Sequence, residues 1–174
     1  FWRQSAQLGL TKAIKIQTIG KSGLFPSEME ALGDLANNIS CLAMWHPAFP
    51  YKSAVTGASS QELADDYEKS SGRQWTQILG MNQSLLDVGI ELLKAANPKD
   101  KSAVAAALPH FKVATLLGTV EWGRLPFANV ATTPLIGAQW VATAPGSKHK
   151  FDLVLVDNAE DANVPVSAKL QPYS

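Results

Sequence analysis

The residues best suited to hold a small molecule cluster in one stretch, Ile39 to Pro50, ISCLAMWHPAFP, with Tyr51 directly after it. Trp45, His46, Pro47, Phe49, Pro50 and Tyr51 put three large rings, an imidazole and two prolines into seven residues. Rings supply stacking and apolar area, and an imidazole among them supplies a polar contact. The apolar run before them (Ile39, Cys41, Leu42, Ala43, Met44) reads as a buried strand. It cannot continue its ladder past Pro47, which lacks an N–H and restricts the residue before it. A strand that ends in rings and rigid turns is where an α/β protein keeps a ligand crevice or a connection to a second domain. A strand end capped by surface aromatics would read the same way.

Catalytic constellations fail on spacing. Gly20-Lys21-Ser22 would need a glycine five residues before Gly20 to curl round a phosphate, and Lys15 stands there. A nucleophile elbow needs one residue between its serine and second glycine, whereas Gly23 follows Ser22 directly. His46, His110 and His149 are scattered, and none has a second ligand at helical spacing, so no metal site is expected. His110 and His149 read as surface residues, and so does the pair Asp65-Asp66. Asp87 stands among leucines, at what would be a helix edge. The single cysteine, Cys41, excludes an intrachain disulfide and reads as a small packed hydrophobe. No acid, base and nucleophile assemble, so the expectation is a binding protein without cofactor rather than an enzyme.

The bulk composition bounds the class. The 174 residues carry 15 basic and 15 acidic side chains, 46% hydrophobic and 17% charged residues. Such a chain can bury a sizeable core, and it lacks the basic excess of a nucleic-acid or membrane-surface binder. No apolar run approaches the roughly 18 to 20 residues of a membrane span. The chain opens Phe1-Trp2-Arg3, without methionine, signal peptide or helix cap. It reads as part of a longer protein, and the lack of a signal here says nothing of the compartment.

Periodicity supplies the elements that would position the aromatic stretch. Phe1 to Leu8 reads as the end of an amphipathic helix stopped by Gly9, and Ala13 to Ile19 alternates as a strand. A polar turn follows at residues 20–23, then a helix from Pro26 to about Leu35 with Glu28 in its first turn. The first fifty residues thus read as a βαβ-type unit with a parallel sheet. Ser60 to Ser70 reads as a helix with Ser60 as N-cap. Thr76 to Ala96 is the longest helix, apolar nearly all round and expected against a sheet, and Lys101 to Leu108 is a short one. Strands are expected at Thr115 to Trp122, Leu135 to Ala142 and Lys150 to Asp157, with an irregular tail from Val164 to Ser174.

Several segments together resemble the periplasmic substrate-binding proteins of ABC importers, in the type I class that includes the branched-chain amino acid binders. FWRQSAQLGL at 1–10 is similar to that family's helix of the form QAxxxGL, followed by a strand and Gly20-x-x-Gly23. Glu30-x-x-Gly33-Asp34-x-Ala36 then precedes the strand that enters the crossing between lobes. The long helix from Met81 after GRQWT, TLLGTVEW at 115–122 with Gln139-Trp140 beyond it, and the ending PVSAKLQP complete the likeness. It spans essentially the whole chain.

The resemblance implies an α/β fold of two Rossmann-like lobes joined by hinge crossings, of which this chain is the C-terminal portion. Residues 1–43 would belong to lobe 2, residues 44–135 to lobe 1, and residues 136–174 return to lobe 2. The implied partners are a small-molecule ligand, an inner-membrane permease and the N-terminal half of the same protein, with no nucleic acid. The implied location is the periplasm, with a signal peptide expected upstream. Without that half, or a second copy, the piece is not expected to be a stable domain.

In amino-acid-binding members the loop after the strand supplies an acidic residue for the ligand's ammonium; here the matching position is Ser22. A hydroxyl cannot neutralise a buried ammonium, and an unpaired buried charge is expensive. The implied ligand is a small carboxylate, aromatic or amino-acid-like. It would be held by Lys21, Ser22, Trp45, His46, Phe49, Trp75 and Met81. Trp75 reads equally as packing at the start of the long helix, and Met81 reads as core more than as contact. The expected role is to bind this solute between the lobes and deliver it to the permease. A ligand-sensing receptor domain of the same fold is the alternative.

Overall fold

The computed structural model describes residues 1–173, and its chain forms two compact units. Unit 1 comprises Phe1–Ala43, Gln74–Thr76 and the stretch from Leu135 onward; unit 2 comprises Met44–Arg73 and Gln77–Pro134.

Unit 1 holds helices α1 (Trp2–Gln7) and α2 (Pro26–Leu32) and strands β1 (Ser40–Ala43), β4 (Ile136–Ala142) and β5 (Phe151–Asp157). The strands form one sheet in the order β1-β4-β5, antiparallel throughout, with Ser40 opposite Gln139 and Ala138 opposite Leu155. The parallel sheet expected at the start is therefore reduced to a single bridge, Thr18 to Ser40. Ala13 to Ile19 is not a strand: only its last residues reach β1, where the Ser40 amide donates to Gln17 O (2.8 Å) and the Ile19 amide to Ser40 O (2.9 Å). Ile16 is left 47% exposed, so alternation alone could not hold the segment to a sheet.

The core of unit 1 is apolar, with Met29, Ile39, Ile136, Trp140, Leu155 and Val164 each fully or almost fully buried. Gly23 sits so close to Cys41 that a Cβ there would fall 2.5 Å from the Cys41 Cβ. Its carbonyl accepts the Trp140 indole N–H at 2.9 Å. Burial pushes the Cys41 thiol up to about 12, against the smaller opposing effect of the Trp140 side chain, so it stays a neutral packing group. The tail is strapped on: Gln139 Nε2 donates to Gln171 O (2.8 Å) while the Gln171 amide donates to Gln139 Oε1 (2.9 Å). Tyr173 donates its hydroxyl to Leu35 O (2.9 Å) and its amide to Lys15 O (2.7 Å). Ser174 lies outside the described residues.

Unit 2 holds helices α3 (Ser60–Ser71), α4 (Gln77–Ala95) and α5 (Lys101–Ala107) and the hairpin of β2 (Lys112–Thr115) and β3 (Gly118–Glu121). The stretch expected as one strand from Thr115 to Trp122 is thus a turn and half of a hairpin, because Gly118 at φ +95° reverses the chain. The N-cap of α3 is Ser59, not Ser60. The Ser59 hydroxyl accepts from the Glu62 amide while the Glu62 carboxylate accepts from the Ser59 amide, a complete capping box.

Helix α4 departs furthest from expectation. Its buried positions are Gln77, Gly80, Ser84 and Asp87, three or four residues apart, while Leu85 is 70% and Leu86 56% exposed. Val88 and Leu92 pack partly buried against Phe111, Val113 and Val120 of the hairpin region. The helix is therefore not buried all round: small and polar groups face inward because aromatic rings and a polar loop occupy that side. Among the described residues no helix is long and apolar enough to cross a membrane.

Candidate functional site

The aromatic stretch begins where the chain passes from unit 1 into unit 2, after Ala43. The Met44 amide donates to Gln77 Oε1 at 2.7 Å, so the first residue of the elbow is tied to the first turn of α4. Trp45 is fully buried. Its indole N–H donates to Ser60 Oγ (3.1 Å), and its ring lies where a side chain at position 80 would stand, about 2.1 Å from an ideal Cβ there. Ser60 is thus free of the capping duty that its neighbour Ser59 performs and serves the tryptophan instead.

With Trp45 anchored, the next residues turn sharply. The Phe49 amide donates to His46 O (2.9 Å), and the Ala48 amide donates to His46 Nδ1 (3.0 Å). A backbone donor on Nδ1 places the proton of the neutral imidazole on Nε2, making that edge a donor. His46 is half-buried. Phe49 is almost fully buried and meets Tyr51 edge-on at 6.4 Å between centroids. The half-buried Tyr51 accepts the Ser60 amide at its carbonyl (3.3 Å), and its ring lies over Gly118 of the hairpin.

The polar heart of unit 2 lies beneath the following loop. Asp87 Oδ1 accepts from Ser53 Oγ (2.6 Å), Gln83 Nε2 (3.2 Å) and the Val55 amide (3.3 Å), pinning residues 53–56 to α4. Asp87 is thus a buried structural anchor, not the helix edge that the sequence suggested.

The residues selected from sequence fall in both units. Trp45, His46, Phe49 and Met81 belong to unit 2, and the first three share one elbow; Lys21, Ser22 and Trp75 belong to unit 1. Lys21 and Ser22 are exposed on a 3₁₀ turn, Lys21–Leu24, while Trp75 and Met81 are half-buried. Sequence reasoning missed Ser60, Gln77 and Gly80, which set the elbow. The available signal was the spacing of Gln77, Gly80, Ser84 and Asp87, a small and polar stripe in a leucine-rich helix.

Among the described residues no three His, Cys, Asp or Glu side chains are grouped to hold a metal ion. The elbow is an aromatic corner with Trp45 and Phe49 buried and the His46 ring engaged at Nδ1 by the Ala48 amide.

Residues 1–146 match the model of the periplasmic binding protein family, and the chain belongs to that family. No curated protein matches it in sequence. Among solved structures it is similar to an amino acid ABC transporter substrate-binding protein from Pseudomonas fluorescens Pf-5, with a TM-score of 0.64 at 14% identity over 90% of this chain. It is also similar to the leucine-binding protein LivK from Thermotoga maritima, with a TM-score of 0.61 at 17% identity over 91% of this chain. At such identities the likeness is one of fold. The chain spans only 39% and 41% of the lengths of those two proteins.

Proposed function

We propose that this chain is part of an extracytoplasmic solute-binding protein of an ABC transporter, binding a small carboxylate and delivering it to a membrane permease. The observation that carries the reading is the elbow at 45–51: a fully buried tryptophan whose indole N–H is held by Ser60 Oγ, followed by an imidazole with its Nδ1 already engaged by backbone. Unit 1 is assigned to lobe 2 and unit 2 to lobe 1, and the part of the fold beyond these residues completes lobe 1. Of the seven ligand-binding residues, Trp45 and Phe49 shape the corner from behind. His46, Trp75 and Met81 present half-buried surface, and Lys21 and Ser22 add polar groups from their exposed turn.

A carboxylate suits this set because it pairs with an imidazole N–H, a lysine and a hydroxyl. Serine at position 22 leaves nothing there to neutralise an ammonium, so an aromatic carboxylate is favoured over leucine or valine.

A thermal-shift screen on the protein as its gene encodes it tests this reading. A native-state ligand stabilises by about 2.7 kcal/mol at a hundredfold excess over its dissociation constant. Aromatic carboxylates are expected to raise Tm and leucine and valine to leave it unchanged. A shift with leucine and none with aromatic acids would overturn the ligand class.

A further inference from the structure

The buried positions of α4, Gln77, Gly80, Ser84 and Asp87, run along about 15 Å of helix. The chain from Met44 to Val55 is laid along this stripe. Gln77 holds the Met44 amide, Gly80 receives the Trp45 ring, and Asp87 holds Ser53 and Val55. The elbow at 46–51 lies between the second and third of these points. Pro47 and Pro50 have no amide hydrogen to give, and the Ala48 and Phe49 amides are spent on His46 itself. The shape of the turn is therefore set locally, while its placement depends on how its two ends are held.

The far end is held by polar bonds. Residues 53–58, SAVTGA, carry no ring, and Ala54, Thr56 and Gly57 are exposed. Ser53 gathers this loop: its hydroxyl accepts the Thr56 amide (3.0 Å), its carbonyl accepts the Gly57 amide (2.9 Å), and its amide donates to Ala58 O (2.9 Å). The same hydroxyl donates to Asp87 Oδ1 at 2.6 Å. The chain then returns through the Lys52–Ser59 bridge to Ser60, whose amide meets Tyr51 O and whose hydroxyl meets the Trp45 indole. Asp87 thus closes a circuit that reaches both sides of the elbow.

The carboxyl is used unevenly. Oδ1 takes three donors, whereas the buried Oδ2 has no hydrogen-bond partner among the described residues. A buried polar atom left in that state costs stability and calls for a reason. We infer, resting on the solute-binding reading above, that Asp87 is a positioning residue of the solute site. Through Ser53 it sets where His46 and Tyr51 stand, and it does so as an acceptor at one oxygen, not as a charge.

Asp87→Asn and Asp87→Ala separate these roles in the protein as its gene encodes it. Asparagine keeps an acceptor in the place of Oδ1, and its amide nitrogen stands in the place of Oδ2, where no bond is lost. Alanine removes the acceptor. Two readouts need no ligand: exchange of the Ser60 amide, which meets Tyr51 O, and the ring-current shift of the Gly118 α protons, which lie under the Tyr51 ring. The Trp140 indole N–H of unit 1 is the reference for global opening. Asp87→Ala is expected to speed Ser60 exchange by at least about tenfold and to diminish the Gly118 shift, with Trp140 at the parent rate. Asp87→Asn is expected to match the parent in all three. An elbow correctly placed only about a tenth of the time binds about tenfold more weakly, so benzoate titration should show that loss in Asp87→Ala and a change within about twofold in Asp87→Asn.

Parent-like exchange and shift in Asp87→Ala overturn the inference. Asp87→Asn behaving as Asp87→Ala also overturns it, because the charge would then be the working part. If Trp140 exchange also accelerates in Asp87→Ala, Ser53→Ala decides by the same readouts: it keeps the carboxyl and removes its 2.6 Å bond, and parent values there again overturn the inference. Benzoate bound equally by the parent and by Asp87→Ala removes this inference and leaves the solute reading standing. Benzoate unbound by the parent, with the exchange pattern as expected, removes the aromatic-acid reading and leaves the placement of the elbow by Asp87.

Discussion

The two units differ in the side chains that their main elements bury. In unit 1 the fully buried large side chains are mostly apolar (Met29, Ile39, Ile136, Trp140, Leu155), and the one buried glutamine, Gln139, has both ends of its amide engaged. In unit 2 Gln77, Ser84 and Asp87 are buried while Leu85 and Leu86 stand in solvent. Among the described residues the buried Asp87 Oδ2 and Ser84 Oγ of unit 2, like Gln74 Oε1 of unit 1, have no hydrogen-bond partner. Unit 1 pays for its order with its own core. Unit 2 has an ordered aromatic corner on one side of α4 and exposed leucines on the other, while Trp45, Phe49, Leu116 and Val120 form its apolar interior.

The largest effect expected from breaking this contrast is at Gly80. Gly80→Val places a branched side chain where the Trp45 ring already lies, with no flexible neighbour to give way. Overpacking typically costs 1 to 3 kcal/mol, and displacement of a fully buried tryptophan puts this variant at about 3 kcal/mol. Chemical denaturation should show the lower midpoint, and hydrogen exchange should show the loss in unit 2. A midpoint unchanged from the parent chain would mean that Trp45 does not anchor the elbow.

Next comes Gln139→Leu in unit 1. The substitution keeps the volume of the side chain but strips the Gln171 amide and two carbonyls, Asn38 O and Gln171 O, of their partner. Lost buried hydrogen bonds of this kind cost about 1 to 3 kcal/mol. The specific readout is release of the tail: limited proteolysis after Ser167 should accelerate while exchange in α4 is unchanged. Equal loosening of both units would show that unit 1 is not the self-sufficient partner in the comparison.

Much of this organisation was legible before the fold was known, and the failures have identifiable causes. The spans of β4 and β5 followed from apolar runs bounded by turn residues, and the aromatic elbow followed from proline chemistry at Pro47 and Pro50. Strand direction was not legible, because the partner of β1 is β4, almost a hundred residues later, and only a topology can bring Gln139 opposite Ser40. Ala13 to Ile19 had the alternation of a strand but no neighbour beyond one bridge to satisfy it. The burial of α4 was misread because leucine count was allowed to outweigh the 77-80-84-87 stripe; in a chain that supplies part of a fold, the apolar face need not be the face buried within that part. Ser59 and Ser60 differ by one residue, and capping could have favoured Ser59 from sequence alone, since Glu62 stands three places after it and completes the box.

That cap offers the smallest and most local test. The Glu62 carboxyl is held below the usual carboxylate range by the Ser59 amide first and the Ser59 hydroxyl second, against a slight opposing effect of desolvation. A lowered folded-state value means that the stabilisation is fully present above the ordinary carboxylate range, at about pH 4.3, and is lost as pH falls through the lowered value. Glu62→Gln can keep both capping bonds without titrating. Below about pH 4 the parent chain should therefore fray at the start of α3 while the glutamine variant does not, with exchange of the Ser59 and Glu62 amides as the readout. Because α3 presents Ser60 to Trp45, fraying that also exposed the indole would show that the cap holds the aromatic corner as well as the helix. Fraying confined to residues 59–62, with the indole N–H still protected, would show instead that Gly80 and the Trp45 ring hold the corner without the cap.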